Sequence, residues 1–195
     1  MSVDIPRARA AVAELLRAVG EDPERPALAS TPQRVADAWA ELFAGVGADA
    51  GAPLRDDIPA GEAAGDLVAV RDLAVRSICE HHLLPFHGRA HVVYRPAGRI
   101  VGFGRLAAAL EVLAARPQLQ EGLGTEFAEL VERELGARGV LVVLDVRQEC
   151  LAARGERQAS ASTVTVAARG ELARPEERDA ALALLALGAG EAVAP

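Results

Sequence analysis

The chain contains no lysine and no asparagine, so all 21 of its basic residues are arginine. It has only two cysteines, Cys79 and Cys150, in 195 residues, which excludes a small secreted scaffold held by disulfides. Aromatic residues are 3% of the sequence, so the core must be packed with Leu, Val and Ala. No apolar run approaches the roughly 20 residues that span a bilayer, and no secretory leader pattern is visible. A net charge of −7 argues against nucleic acid as the main partner. The expectation is a cytoplasmic protein with neither a membrane nor a nucleic-acid partner. The length fits one domain with a short appendage, and is enough to bury a core without disulfide support. The missing lysines, beside abundant Ala and Gly, point to a GC-rich coding bias. An arginine here can therefore stand where another chain has lysine, although a planar fork and a point charge are not equivalent at a phosphate.

The apolar pattern divides the chain. Val12, Leu15, Leu16 and Val19 share one helical face within residues 6–19. Ser30-Thr31-Pro32 reads as a second helix start, with a capping hydroxyl ahead of a first-turn proline. Residues 45–65 are rich in Gly, Ala, Pro and Asp and read as a mobile loop. The period then changes: strands are predicted over 67–78, 88–95, 139–146 and 162–168, and helices over 105–115, 120–135 and 171–187. Hairpin-joined strands between helices predict an α+β fold with an antiparallel sheet and helices on one face. The division expected is an N-terminal helical region and loop over 1–65, followed by the main domain over 66–190.

Chemistry concentrates in Ser77-Ile78-Cys79-Glu80-His81-His82-Leu83-Leu84-Pro85-Phe86. A thiol and an imidazole three positions apart, Cys79 and His82, can close on one metal from a turn. Cys150, after an apolar strand, would complete a three-ligand site of the kind zinc takes, leaving a position for water. Such a site brings the pKa of bound water to about 7. The alternative is two buried free thiols and a solvated histidine pair.

The same segment resembles the zinc-binding signature of the GTP cyclohydrolase I family. Other pieces match in order: Ser30-Thr31-Pro32-Gln33-Arg34-Val35-Ala36, Gly88-Arg89-Ala90-His91-Val92-Val93-Tyr94, Val101-Gly102-Phe103-Gly104-Arg105-Leu106, Arg116-Pro117-Gln118-Leu119-Gln120-Glu121 and Cys150-Leu151-Ala152-Ala153-Arg154-Gly155. The resemblance covers roughly residues 10–185. It implies the tunnelling fold (T-fold), a ring-forming homo-oligomer, specifically a homodecamer of stacked pentamers, and active sites between subunits. It implies zinc on Cys79, His82 and Cys150, and His81 moving protons at the imidazole ring of the substrate. Glu121 would read the guanine edge with Gln120 beside it, and Arg105 and Arg154 would face the phosphate tail of a guanine nucleotide. The implied chemistry is hydrolytic opening of the GTP imidazole ring at C8, loss of formate, and ring closure to dihydroneopterin triphosphate.

The departures from the family pattern are specific. Gln148 stands where the family has an active-site histidine, two positions before the distal cysteine, and glutamine cannot transfer a proton at neutral pH. His87 and Glu149 are candidate substitutes, with a surface position the plainer reading of His87. Gly104 and Ala108 replace a serine and an arginine of the phosphate end. Read from the sequence, these changes favour a divergent enzyme that opens the ring of GTP, or of a guanine derivative with a different tail, and releases a formamidopyrimidine. The alternatives are an ordinary GTP cyclohydrolase I and a non-catalytic, zinc-containing regulatory relative.

Overall fold

The computed structural model describes residues 3–61, 65–155 and 157–187. Two helices, α1 (Ile5–Ala18) and α2 (Thr31–Leu42), form an N-terminal hairpin packed chiefly on itself. A 3-10 turn (Ala52–Arg55) and β1 (Asp57–Pro59) lead to the long strands β2 (Val68–Cys79) and β3 (Pro85–Arg95). Then come β4 (Arg99–Val101), α3 (Phe103–Ala114), β5 (Pro117–Gln118) and α4 (Gln120–Leu135). The chain ends in β6 (Gly139–Gln148), the single turn α5 (Glu149–Ala152), β7 (Thr163–Gly170) and α6 (Pro175–Ala186).

The main sheet has the order β5-β2-β3-β6-β7. Its four long strands are antiparallel; the short β5 joins the edge of β2 in parallel. Alternation decides the faces. Ala90, Val92 and Tyr94 of β3, opposite Leu144, Val142 and Val140 of β6, together with Phe86 and Val146 on the same face, point under α3 and α4 and form the main core with Leu106, Leu110, Leu123 and Phe127. The intervening residues Val93 and Leu141 point to the reverse face, where Leu172 and Ala181 cover one end. A bulge at Arg71-Asp72, with Asp72 at φ 60, keeps Leu73 and Val75 on the core face by absorbing one residue of β2.

The segment expected to be a mobile loop is packed as far as it is described; residues 62–64 lie outside the described residues. Leu54 is 0% exposed within the main core, β1 pairs with β4, and Arg55 joins Asp49 and Glu134. Its small residues serve close approach: a Cβ on Gly45 would lie 2.0 Å from the carbonyl oxygen of Val112. Composition thus signalled a loop where one leucine anchors a tight cover. Two end signals were also misread. Ser30 already has helical dihedrals and makes no side-chain cap, because turns over residues 25–29 deliver the chain into α2. The final helix begins at Pro175 rather than 171, after a 3-10 turn over Glu171–Ala173.

Arg95, at the end of β3, clamps this C-terminal region by donating to Glu171 and Glu177, each at 2.7 Å. Arg95 first, then Arg138, holds Glu171 below the usual carboxylate range, and Arg95 does the same for Glu177. Depressed carboxylates stabilise the folded state above their unfolded pKa of about 4.3, and that stabilisation is lost as pH falls through the lower folded values. Amide exchange in α6 is therefore expected to accelerate below about pH 4 ahead of exchange in β3 and β6, and Glu177→Gln is expected to blunt that dependence. Leu54→Ala is expected to lower unfolding free energy by about 2–5 kcal/mol in denaturant titration; a loosely attached loop would lose less than about 0.5 kcal/mol.

Candidate functional site

Three chain segments converge at one end of the sheet. β2 ends at Cys79, and the chain reverses through Glu80–Leu84 into β3. The reversal is tight: Leu83 N–H donates to the Cys79 carbonyl and Cys79 N–H to the Leu84 carbonyl, both at 2.8 Å. Leu83 takes a left-handed φ of 53° to make it. This bend folds His82 back toward Cys79. Register supplies the third group. Phe86 at the start of β3 pairs with Gln148 at the end of β6, so Cys150 in α5 arrives beside the turn despite a separation of 71 residues (150 − 79).

The ligand atoms of Cys79, His82 and Cys150 all lie within 4.8 Å of one another. A tetrahedral zinc ion with bonds of about 2.0–2.3 Å needs donors roughly 3.3–3.8 Å apart, so modest closure suffices. Cys79 is buried, Cys150 half-buried and His82 exposed, giving a closed thiol side and an open imidazole side. Burial first, then the adjacent Cys79 thiol, pushes the Cys150 thiol up, while Arg154 opposes this. A divalent cation would reverse that balance by holding coordinating thiols as thiolates. The donor set therefore fits zinc. His81, exposed in the same turn, sets its ring edge-on to His82 with centroids 6.2 Å apart.

The segment 116–121 lies alongside. Pro117 and Gln118 pair with Ile78 and Cys79, and Glu80 N–H donates to the Gln118 carbonyl at 3.1 Å. Two buried glutamines hold it. Gln118 donates to the Leu113 carbonyl at 3.3 Å, and Ser77 donates to the Arg116 carbonyl at 3.3 Å. Gln120 donates to the carbonyls of Leu144 and Thr163 and accepts from Gln148 at 3.0 Å. Both amide donors of Gln120 are thus used within the protein. Glu121 is exposed in the first turn of α4.

The other expected residues divide. Arg154 is exposed just beyond α5 and close enough to Cys150 for its charge to be felt. Arg105 is elsewhere in the protomer: it pairs with Asp56 near the β1–β4 ribbon, roughly 14 Å along α3 from the end that leads to β5. His87 pairs opposite Arg147 and so projects from the face opposite Gln148, as an exposed strand residue. Glu149 is engaged by Arg147 at 3.5 Å. Within the protomer, neither shares the strand face of Gln148 as a free acid. Sequence reading passed over Gln118 and Ser77; the Gln-x-Gln alternation was the available signal for the first.

The chain is an α+β protein in which two thiols and an imidazole that could hold a metal ion meet at one end of the sheet. The GTP cyclohydrolase I family model matches residues 8–186, and the chain belongs to that family, whose fold is the tunnelling fold. It is 53% identical over 186 residues to GTP cyclohydrolase 1 of Leifsonia xyli subsp. xyli, covering 95% of this chain and 97% of that one. It is 45% identical over 184 residues to GTP cyclohydrolase 1 of Rhodopirellula baltica, covering 94% and 80%. It is 42% identical over 175 residues to GTP cyclohydrolase 1 of Streptococcus sanguinis, covering 90% and 94%. Among the described residues no helix is long and apolar enough to cross a membrane.

Metal analysis tests the triangle directly. About one zinc per chain is expected, with Cys150→Ala losing most of it and the wild type losing it as pH falls and protons compete for the ligands. Full occupancy in Cys150→Ala would remove Cys150 from the site.

Proposed function

We propose that the chain hydrolyses GTP at C8 of the guanine ring and carries the opened product through loss of formate to dihydroneopterin triphosphate. The observation that carries this is the Cys79–His82–Cys150 triangle beside the helix start that bears Glu121. Zinc held by these three residues would supply Lewis acidity and an acidified water at neutral pH. His81, in the same turn, holds or delivers the proton needed at N7 when the neighbouring C8 is attacked. Glu121 accepts from the guanine N1–H and exocyclic amine, which orients the base. Arg154 meets the triphosphate by charge-assisted hydrogen bonding. Arg105, distant from this site in its own protomer, serves the site of a neighbouring copy in a ring-shaped homodecamer. Catalysis belongs to residues 66–190, and residues 1–65 form an appendage whose later part braces α3. The protein works in the cytoplasm on a small guanine nucleotide.

Gln148 favours a second reading. It cannot exchange a proton at neutral pH, and general acid–base help is worth about 10²–10⁴-fold in rate. On this reading the ring opens and a formamidopyrimidine accumulates. The relatives, all named for the GTP cyclohydrolase 1 activity at 42–53% identity, favour the complete reaction over the truncated one.

Product analysis of the zinc-loaded chain with GTP separates the two. Formate and fluorescent pterin in equal amounts are expected. A formamide product without formate would establish the second reading. An unaltered nucleotide at full zinc occupancy would exclude both and leave a non-catalytic relative.

A further inference from the structure

We propose that Gln120 is a positioning residue for guanine recognition, and that residue 148 serves it by donating one hydrogen bond. The proposal rests on the reading of Glu121 as the group that accepts from the guanine edge.

The start of α4 lacks the usual device. Its N-cap is Leu119, and no side chain caps its free amides. Gln120, the first helical residue, is only 2% exposed. Its Nε2 donates to the carbonyl of Thr163, the first residue of β7, at 2.8 Å, and to that of Leu144 in β6 at 3.2 Å. Two carbonyl acceptors on the same side fix which end of the amide is nitrogen. Oε1 must then face the opposite way, where Gln148 Nε2 meets it at 3.0 Å. One buried amide thus ties the beginning of α4 to two strands of the sheet, and the next residue is Glu121. The Glu121 carboxylate has no ion-pair partner among the described residues, so within the protomer the backbone of that first turn fixes only the Cα–Cβ root from which it reaches the base. A buried amide with three bonds is expensive to disturb, because each unmade bond leaves a desolvated polar group.

What this geometry demands of position 148 is a donor aimed at Gln120 Oε1, not a titrating group. A carboxamide meets that demand, and so does an imidazole N–H. The two amides form a fixed mount for the base-reading carboxylate at the edge of the metal triangle.

The discriminating measurement is the ratio of kcat/KM for GTP to that for ITP, which lacks the exocyclic amine Glu121 would bind. A loss confined to folding scales both nucleotides alike; misplacing Glu121 lowers their ratio. Gln120→Leu is expected to reduce the GTP preference by about tenfold, mainly through KM, with zinc content retained. Gln148→Leu removes only the donor to Oε1 and is expected to reduce the ratio by a smaller factor. Gln148→His, which keeps an N–H donor at that position, is expected to hold the ratio near the wild-type value. An unchanged ratio in Gln120→Leu would overturn the proposal. If that variant does not fold, an unchanged ratio in Gln148→Leu, which keeps both backbone bonds of Gln120, overturns it instead. Glu121→Gln is the reference: a ratio it leaves unchanged would refute the reading of Glu121 itself, whatever the glutamines do.

Discussion

The pairing register of β3 against β6 is the constraint on which the rest depends. Phe86 opposite Gln148 puts the end of β6 beside the β2–β3 turn and on the helix-covered face. Slipping that register by one residue would turn Gln148 outward and carry Cys150 away from Cys79 and His82. The register is held by the core itself, since Phe86, Ala90, Val92 and Tyr94 meet Val140, Val142, Leu144 and Val146 over the whole length of the two strands. The metal triangle is therefore a by-product of sheet packing, with only the bend at Leu83 built locally. This places the donor atoms on a strand end, a tight turn and a one-turn helix rather than on a free loop, which favours a site formed before any ion arrives.

The polar side chains behind the site repeat the pattern. Ser77 and Gln118 fasten the segment after α3 to β2 and α3, while Gln120 fastens the start of α4 to β6 and β7. Buried polar groups of this kind add rigidity when every donor is satisfied. His81, His82, Glu121 and Arg154, by contrast, are exposed. The C-terminal clamp at Arg95 lies at the other end of β3, so α6 can respond to acid without direct disturbance of the triangle.

Much of this was legible in the sequence because it is periodic or compact. Alternation in residues 88–95 and the apolar run over 139–146 identified the central strands, and helical spacing placed α4 over Gln120–Leu135. Cys79 and His82 declared themselves by proximity. Cys150 was suggested by its place after an apolar strand and strengthened by the family resemblance, because spacing alone does not show that a strand will return it to the turn. What stayed hidden has a common cause. Leu54 looked like loop because one anchor among Gly, Ala and Pro leaves no period. Gln120 looked like a substrate contact because sequence cannot show that two carbonyls from separate strands already occupy its amide. The linear motif does not reveal that Arg105 sits near the start of α3 beside Asp56, away from the Cys79 turn of its own protomer. The face of His87 and the Arg147 partner of Glu149 came to light only with strand pairing.

Everything said about chemistry depends on two sulfurs and one imidazole sharing an ion. Zinc K-edge X-ray absorption on the zinc-loaded, full-length chain reads that shell directly. Two sulfur scatterers at about 2.3 Å and one imidazole nitrogen at about 2.0 Å, with one further light-atom ligand, are expected. A shell with no sulfur, or one closed by four protein ligands with no place for water, would contradict the assignment of a catalytic centre to this end of the sheet.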